Sequence, residues 1–319
     1  MKFMVRIISL LLLILLASCN KVPPPPMVFG ANVWAGYEPV FMARELGYFS
    51  ANNLSITEYG KASEVKQAFL KHELHLAAVS LDVALQLRQD VPDLKIVLLL
   101  DTSKGADVIL AQPGITDLKQ LQGHRVGMEN TVRGAYFLNL ALKSTGMQDG
   151  QVENVLLSGA EQEAAFNAHK VDALVTSEPL RSKLLEKGAT VVFDSARVQG
   201  KMLDVLVTRD DDLGRYHHEM VEWVQGWNRA LDYIRTQPDQ AAQIMSKHEN
   251  VNASQLGRKI QGVEWIGVQR NRELLRGEPP LVGDNLEAVQ HFLLERGLIK
   301  MGTDTAALLD TSLLAGIAP

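Results

Sequence analysis

Apolar residues along this chain keep two different periods, and the switches between them mark out the elements. Met27-Val28-Phe29-Gly30-Ala31-Asn32-Val33 is a short apolar run that predicts a first strand. Gly36 and Pro39 punctuate it, and residues 37–48 carry the three-to-four spacing of a helix that stops at Gly47. Leu54-Ser55-Ile56-Thr57-Glu58-Tyr59 alternates as a half-buried strand does. Ser63 is placed to cap a helix running through Leu70. Residues 75–79 then read as a short buried strand, 81–88 as a helix and 95–100 as an apolar strand. This alternation predicts a mostly parallel sheet covered by helices.

A second set begins near Ala106. Strands are expected over 107–111, 125–128, 151–156, 173–176 and 190–193, with a helical turn over 118–121 and helices over 131–144 and 161–169. Residues 202–208 are strand-like again, and from His218 the pattern is helical, over 221–235, 238–247, 253–260 and 285–295. Within that tail Trp223, Trp227 and Tyr233 have near-helical spacing and are expected in the core. Two α/β sets and a helical tail predict two lobes, with residues 27–106 and 209–319 in lobe 1 and 107–208 in lobe 2. The chain is expected to cross between them near 106–112 and 203–209. A single doubly wound domain gives the same alternation and is the competing arrangement.

The N-terminus sets the compartment. Lys2 and Arg6 precede an apolar run over residues 7–16 that only Ser9 interrupts. Ten residues are too few to span a bilayer as a helix, which needs about 20, but they match the apolar region of a secretory signal. The run ends in Leu16-Ala17-Ser18-Cys19, which resembles the lipobox of bacterial lipoproteins. On this reading residues 1–18 are a signal peptide, Cys19 carries the lipid, and residues 19–26, with four consecutive prolines, form an extended tether. Cys19 is the only cysteine in the 319 residues, so no disulfide is possible within the chain.

Composition narrows the partners. Removing residues 1–18 takes away Lys2 and Arg6 and no acid, which leaves 30 basic against 37 acidic residues, a net charge of −7. No basic block or aromatic-basic patch occurs, so nucleic acid is not an expected partner. No nucleophile elbow, phosphate loop or dinucleotide fingerprint is present. His72-Glu73-Leu74-His75 misses the zincin spacing, which needs histidines at i and i+4. The expectation is a non-enzyme without cofactor or metal.

Several segments carry a resemblance. They are Trp34-Ala35-Gly36-Tyr37-Glu38-Pro39 with Ala43 and Glu45-Leu46-Gly47-Tyr48-Phe49, then Ser103-Lys104-Gly105-Ala106-Asp107, then residues 118–127. Val171-Asp172-Ala173-Leu174-Val175-Thr176-Ser177-Glu178-Pro179, Asp194-Ser195 and Asp204-Val205-Leu206-Val207 complete the series. Over residues 27–250 it resembles the nitrate/sulfonate/taurine group of ABC-transporter solute-binding proteins, which also includes binding proteins for thiamine-pyrimidine precursors. His169 departs from the pattern, since the family places Gly in that turn. The resemblance implies the type II periplasmic binding protein fold, with ligand held between two α/β lobes. It also implies a monomer on the outer side of a bacterial membrane, where the lipid expected on Cys19 would anchor it, with a small molecule and ABC permease subunits as partners. A sensory module for a membrane receptor and a pyrimidine-synthesis enzyme of the same fold are the alternatives.

In open α/β sheets ligands sit outside the carboxyl ends of the strands, beside helix N-termini. That rule nominates Trp34, Tyr37 and Glu38 after the first strand, Ser80 after the third and Ser103 after the fourth, with Gly105 for close backbone approach. Trp34 either stacks on a planar ligand or packs in the lobe, and Ser80 either donates to the ligand or caps a helix. Asp107 sits at the expected crossing, where it contacts a cationic group or braces the hinge. In the second set the rule nominates Thr131 as a helix cap, Arg133 as partner of an anionic group, and Glu178 beside Pro179. Asp204 completes the candidates. With Glu129 the expected rim has five acids against Arg133, which favours an amine, an amino-pyrimidine or a zwitterion such as taurine over nitrate and simple sulfonates.

Overall fold

The computed structural model describes residues 25–50, 52–277 and 280–317. The expected signal peptide, Cys19 and most of the tether lie outside the described residues. Two sheets organise the rest. The first has six strands in the order β11-β4-β10-β3-β1-β2. Its members are β1 (Met27–Asn32), β2 (Leu54–Tyr59), β3 (Leu76–Ser80), β4 (Leu94–Ser103), β10 (Leu203–Arg209) and β11 (Val263–Trp265). The second has five, β7-β6-β8-β5-β9, built from β5 (Val108–Ala111), β6 (Arg125–Glu129), β7 (Glu153–Leu157), β8 (Ala173–Thr176) and β9 (Thr190–Asp194).

Both sheets mix parallel and antiparallel pairs, and the edge strand β11 is antiparallel to β4. β1 pairs in parallel with β2 and β3, while β10 runs antiparallel between β3 and β4. The carboxyl ends of β3 and β4 therefore share a rim with the first residues of β10, and Asp204 stands opposite both Ser80 and Asp101. In the second sheet β6 is parallel to β7 and β8, and β5 is antiparallel to β8 and β9.

The crossings differ from expectation. Residues 203–209 are a fully buried strand of the first sheet, so the return crossing falls earlier, within 195–202. The outward crossing is short, residues 104–107, between β4 and β5. The strand expected over 202–208 is β10, and its burial between β3 and β4 moves the crossing off residues 203–209.

Helix starts follow local chemistry. α1 (Glu38–Glu45) has Pro39 in its first turn, where the missing N–H costs nothing. α2 (Ala62–Leu70) begins one residue before Ser63, because the Glu64 carboxylate accepts from the Gly60 and Lys61 amides at 3.0 and 3.2 Å. α3 (Leu81–Asp90) follows β3, and α4 (Val132–Ser144) is capped by the Thr131 hydroxyl, which accepts from the Gly134 amide at 3.2 Å. α5 (Gly159–Asn167) leads into the turn at His169, whose φ of 52° is left-handed. The turn therefore keeps the conformation that glycine adopts freely, with histidine in its place. α6 (Leu180–Glu186) was not expected from the pattern.

The tail, α7 (Asp210–Arg215), α8 (His217–Thr236), α9 (Pro238–His248), α10 (Ala253–Gln261), α11 (Val268–Leu275) and α12 (Gly283–Glu295), returns to the first sheet. Trp223 and Trp227 are fully buried on α8 and stack at 5.9 Å, as their spacing predicts. Trp227 Nε1 donates to the Ile266 carbonyl at 3.1 Å. Near the end of the described chain Asp310 N donates to the Ile96 carbonyl at 3.0 Å, on the first sheet. Among the described residues no helix is long and apolar enough to cross a membrane.

Candidate functional site

The crossings are tied to each other by serines. The Ser103 and Ser195 hydroxyls are 2.7 Å apart, the Gly105 amide donates to Ser195 Oγ at 2.6 Å, and the Asp107 amide donates to Ser103 Oγ at 3.2 Å. Gly105 has a φ of 100°, a conformation that side-chain-bearing residues rarely adopt. Ser103 is thus a brace between the two chain passages, and Asp107 is fixed beside it with its carboxylate free to reach outward.

Arg133, the second residue of α4, crosses the gap. Its Nη2 donates to Asp107 Oδ2 at 3.1 Å and its Nη1 to Asp204 Oδ2 at 3.2 Å. The guanidinium also lies over the Trp34 ring at 5.4 Å. One cation from the helix that follows β6 therefore joins a carboxylate of the crossing, a carboxylate of the first sheet and an aromatic face. Burial works against its charge, but Asp107 and Asp204 outweigh that and hold it far above the usual arginine range.

The first sheet supplies the floor. Tyr37, in the 3-10 turn Ala35–Tyr37, donates its hydroxyl to Asp204 Oδ1 at 3.0 Å. Trp34 Nε1 donates to Asp101 Oδ1 at 3.2 Å. Burial, with Asp204 next in effect, raises both the Tyr37 hydroxyl and the Asp101 carboxyl well above their ordinary ranges. Burial also raises Asp204, against the pull of Arg133. Gly36 is required here, because a Cβ on it would collide with Asp101 Oδ2 and Trp34 Nε1. Trp265 Nε1 donates to the Gly36 carbonyl at 3.0 Å and steadies the turn from β11.

Beside Arg133 lies a cavity of about 10 Å³, lined also by Asp82, Tyr136, Lys201 and Met202, which is room for about one water. Asp82 is buried, and that burial raises its carboxyl above the ordinary range. Burial and then Asp82 push the Tyr136 hydroxyl up to about 12.

Of the expected site residues, the structure gathers Trp34, Tyr37, Asp107, Arg133 and Asp204. It places Ser80 next to them on the same rim and Ser103 in the brace behind them. Glu38 lies elsewhere: its carboxylate holds His248 Nδ1 at 3.0 and 3.1 Å, on the far side of α1. Burial raises Glu38, whereas its hydrogen bond to the Glu38 carboxylate raises His248. Glu178 is engaged locally, accepting from Ser182 N and Oγ at 3.3 and 2.9 Å. Thr131 is exposed and serves its helix cap, and Glu129 is exposed as well. The expected acid-rich rim is thus composed differently, with Asp101 and Asp82 in place of Glu38, Glu129 and Glu178. The signal for Asp101 was an acid closing an otherwise apolar strand. Asp82 in the first turn of a helix reads as ordinary dipole pairing and carried no distinct signal.

The comparisons agree on one architecture. The alkanesulfonate-binding protein SsuA from Xanthomonas axonopodis pv. citri, bound to MOPS, is similar with a TM-score of 0.73 at 14% identity, covering 92% of this chain and 100% of that one. The periplasmic aliphatic sulphonate binding protein SsuA from Escherichia coli is similar with a TM-score of 0.73 at 16% identity, over 86% of this chain and 89% of that one. The ligand-binding component of an ABC-type import system from Staphylococcus aureus, with zinc bound, gives a TM-score of 0.72 at 15% identity, over 92% and 99%. These likenesses establish the periplasmic binding protein fold for this chain. Comparison with curated proteins yields no match. The sequence profile described as NMT1/THI5 like matches residues 34–241, more than half of the chain, and this protein therefore belongs to the NMT1/THI5-like family.

Proposed function

We propose that this chain is an extracytoplasmic solute-binding protein, anchored by a lipid on Cys19, that captures a small nitrogen-containing molecule and delivers it to an ABC importer. The observation that carries the reading is Arg133, which joins Asp204 of the first sheet to Asp107 of the crossing over the face of Trp34. A cluster built from both sheets closes when they approach and opens when they part, which is how a hinged receptor senses its ligand. Its composition favours the ligand class. Asp101, Asp107 and Asp204 surround a single guanidinium that is already engaged, so an added cation is accommodated more readily than an added anion. Trp34 offers a flat face for an amine, an amidine or an amino-pyrimidine ring. The signal-like N-terminus and the lipobox resemblance support the compartment.

Native mass spectrometry of the protein as purified tests the capture role directly. The expected result is a retained small molecule containing basic nitrogen. A retained sulfonate without an amine, or a large peptide, contradicts it. Fractionation tests the anchor: the wild type is expected with membranes, and Cys19→Ser in the soluble fraction.

A further inference from the structure

Asp101 is the one member of the cluster whose partners do not account for it. Asp101 and Asp204 stand opposite each other across β4 and β10, at 0% and 3% exposure. Asp204 receives Tyr37 and Arg133, whereas Asp101 receives only Trp34 Nε1 on Oδ1, and its Oδ2 has no hydrogen-bond partner. The donor that this buried oxygen requires is either a proton shared with the facing Asp204 or a group brought by a ligand. The glycine at position 36 keeps side-chain atoms away from that oxygen.

The charged neighbours define what meets the demand. Asp204 comes from β10, Tyr37 from the first turn, Asp107 from the crossing, Asp82 from α3 and Arg133 from α4. On the β11 side Lys104 and Glu264 neutralise each other at 3.1 Å. Arg133 is bonded to Asp107 and Asp204 rather than to Asp101, and Lys201 lines the neighbouring cavity beside Asp82. Burial raises both facing carboxyls and Arg133 bonds only Asp204 of the two, so the pair holds a proton more tightly than separate carboxyls do.

We propose that Asp101 is the specificity-determining residue of the cleft, binding a nitrogen base as a cation on Oδ2 at the expense of a proton held by the Asp101–Asp204 pair. The inference rests on the solute-binding reading above and names the group that selects its ligand. The proton has two routes to the same ion pair. A ligand already cationic in solution, such as an amidine, expels the carboxyl proton to solvent. A neutral weak base, such as an amino-pyrimidine, takes the proton onto its ring nitrogen, and none leaves.

The test is isothermal titration of the full mature chain at about pH 7 with benzamidine, ethanolamine and 4-aminopyrimidine, each in two buffers of different ionisation enthalpy. Benzamidine or ethanolamine is expected to release about one proton per site, and 4-aminopyrimidine about none. Asp101→Asn, similar in size and unable to ionise, is expected to abolish the release and weaken binding at least about tenfold. Wild-type proton release needs no variant, and circular dichroism shows whether Asp101→Asn is folded. Binding of a charged amine without proton release, or unchanged affinity in a folded Asp101→Asn protein, overturns the assignment and leaves solute capture standing. Failure of all three bases while ethanesulfonate or nitrate binds overturns it too, again without harming capture. Failure of every probe, with no molecule retained on purification, overturns the capture reading and this inference with it.

Discussion

Arg133 divides its guanidinium between two carboxylates that lie on either side of a chain crossing. Removing it leaves Asp107 and Asp204 facing each other without a cation. Breaking a fully buried pair costs about 3–5 kcal/mol, but the Arg133 side chain keeps 23% of its exposure, so screening reduces the effect. Arg133→Ala is expected to lose about 2 kcal/mol at neutral pH, measured by urea unfolding. A second pair makes a pH-dependent prediction. Glu38 raises the pKa of His248, so the folded chain holds that proton more tightly than the unfolded chain does. The stabilisation is complete below about pH 6.5 and is lost as pH rises through the raised value. The wild type is therefore expected to lose stability relative to His248→Gln between about pH 6.5 and 8, measured by thermal unfolding at a series of pH values. Parallel curves contradict the pairing. At this scale the sequence showed Trp34, Tyr37, Asp107, Arg133 and Asp204, because each follows a strand end or a turn at one rim. Glu38 follows the same strand end, yet the first turn of α1 directs it to His248, a residue 210 positions away that no local pattern reveals. Asp101 directly follows the strand expected over 95–100, and an acid at a strand end carries no local sign of which way its side chain turns.

Elements were legible where burial and period agree. The strand over 173–176 and the 3-10 turn over 118–121 have the bounds that the pattern predicts, and the paired tryptophans of α8 are core as their spacing requires. β11 and α11 were not read, since a three-residue strand and a helix rich in charge and amide groups give little apolar period. α2 shows how a cap is misplaced: Ser63 has the right chemistry, but Glu64 reaches back to two amides and moves the start. The turn after α5 is the clearest case of strain at this scale. A left-handed residue other than glycine costs about 1–2 kcal/mol, less what glycine loses in chain entropy. His169→Gly is therefore expected to stabilise the protein by about 0.5–1 kcal/mol in urea, provided Arg125, which bonds the His169 carbonyl at 3.0 Å, stays in place. A loss of stability means that the imidazole itself contributes contacts.

At the scale of the whole molecule, two sheets meet at a pair of short crossings, and every member of the central cluster lies within reach of those crossings. The placement follows from topology: β10 returns antiparallel between β3 and β4, which brings Asp204 to the rim where the parallel strands end. The crossings and the charged cluster are therefore built from the same few residues, with Ser103 and Ser195 tying the passages and Arg133 spanning them. On the proposed function, a ligand that draws the two halves together acts on this cluster first. Isothermal titration of the mature protein against a panel of amines, amino-pyrimidines, taurine, alkanesulfonates and nitrate tests that account most directly. A nitrogen base is expected to bind more tightly than any simple anion, with affinity reduced at least about tenfold in Trp34→Ala. Nitrate or an alkanesulfonate binding more tightly than every amine, or affinity unchanged in Trp34→Ala, would contradict it.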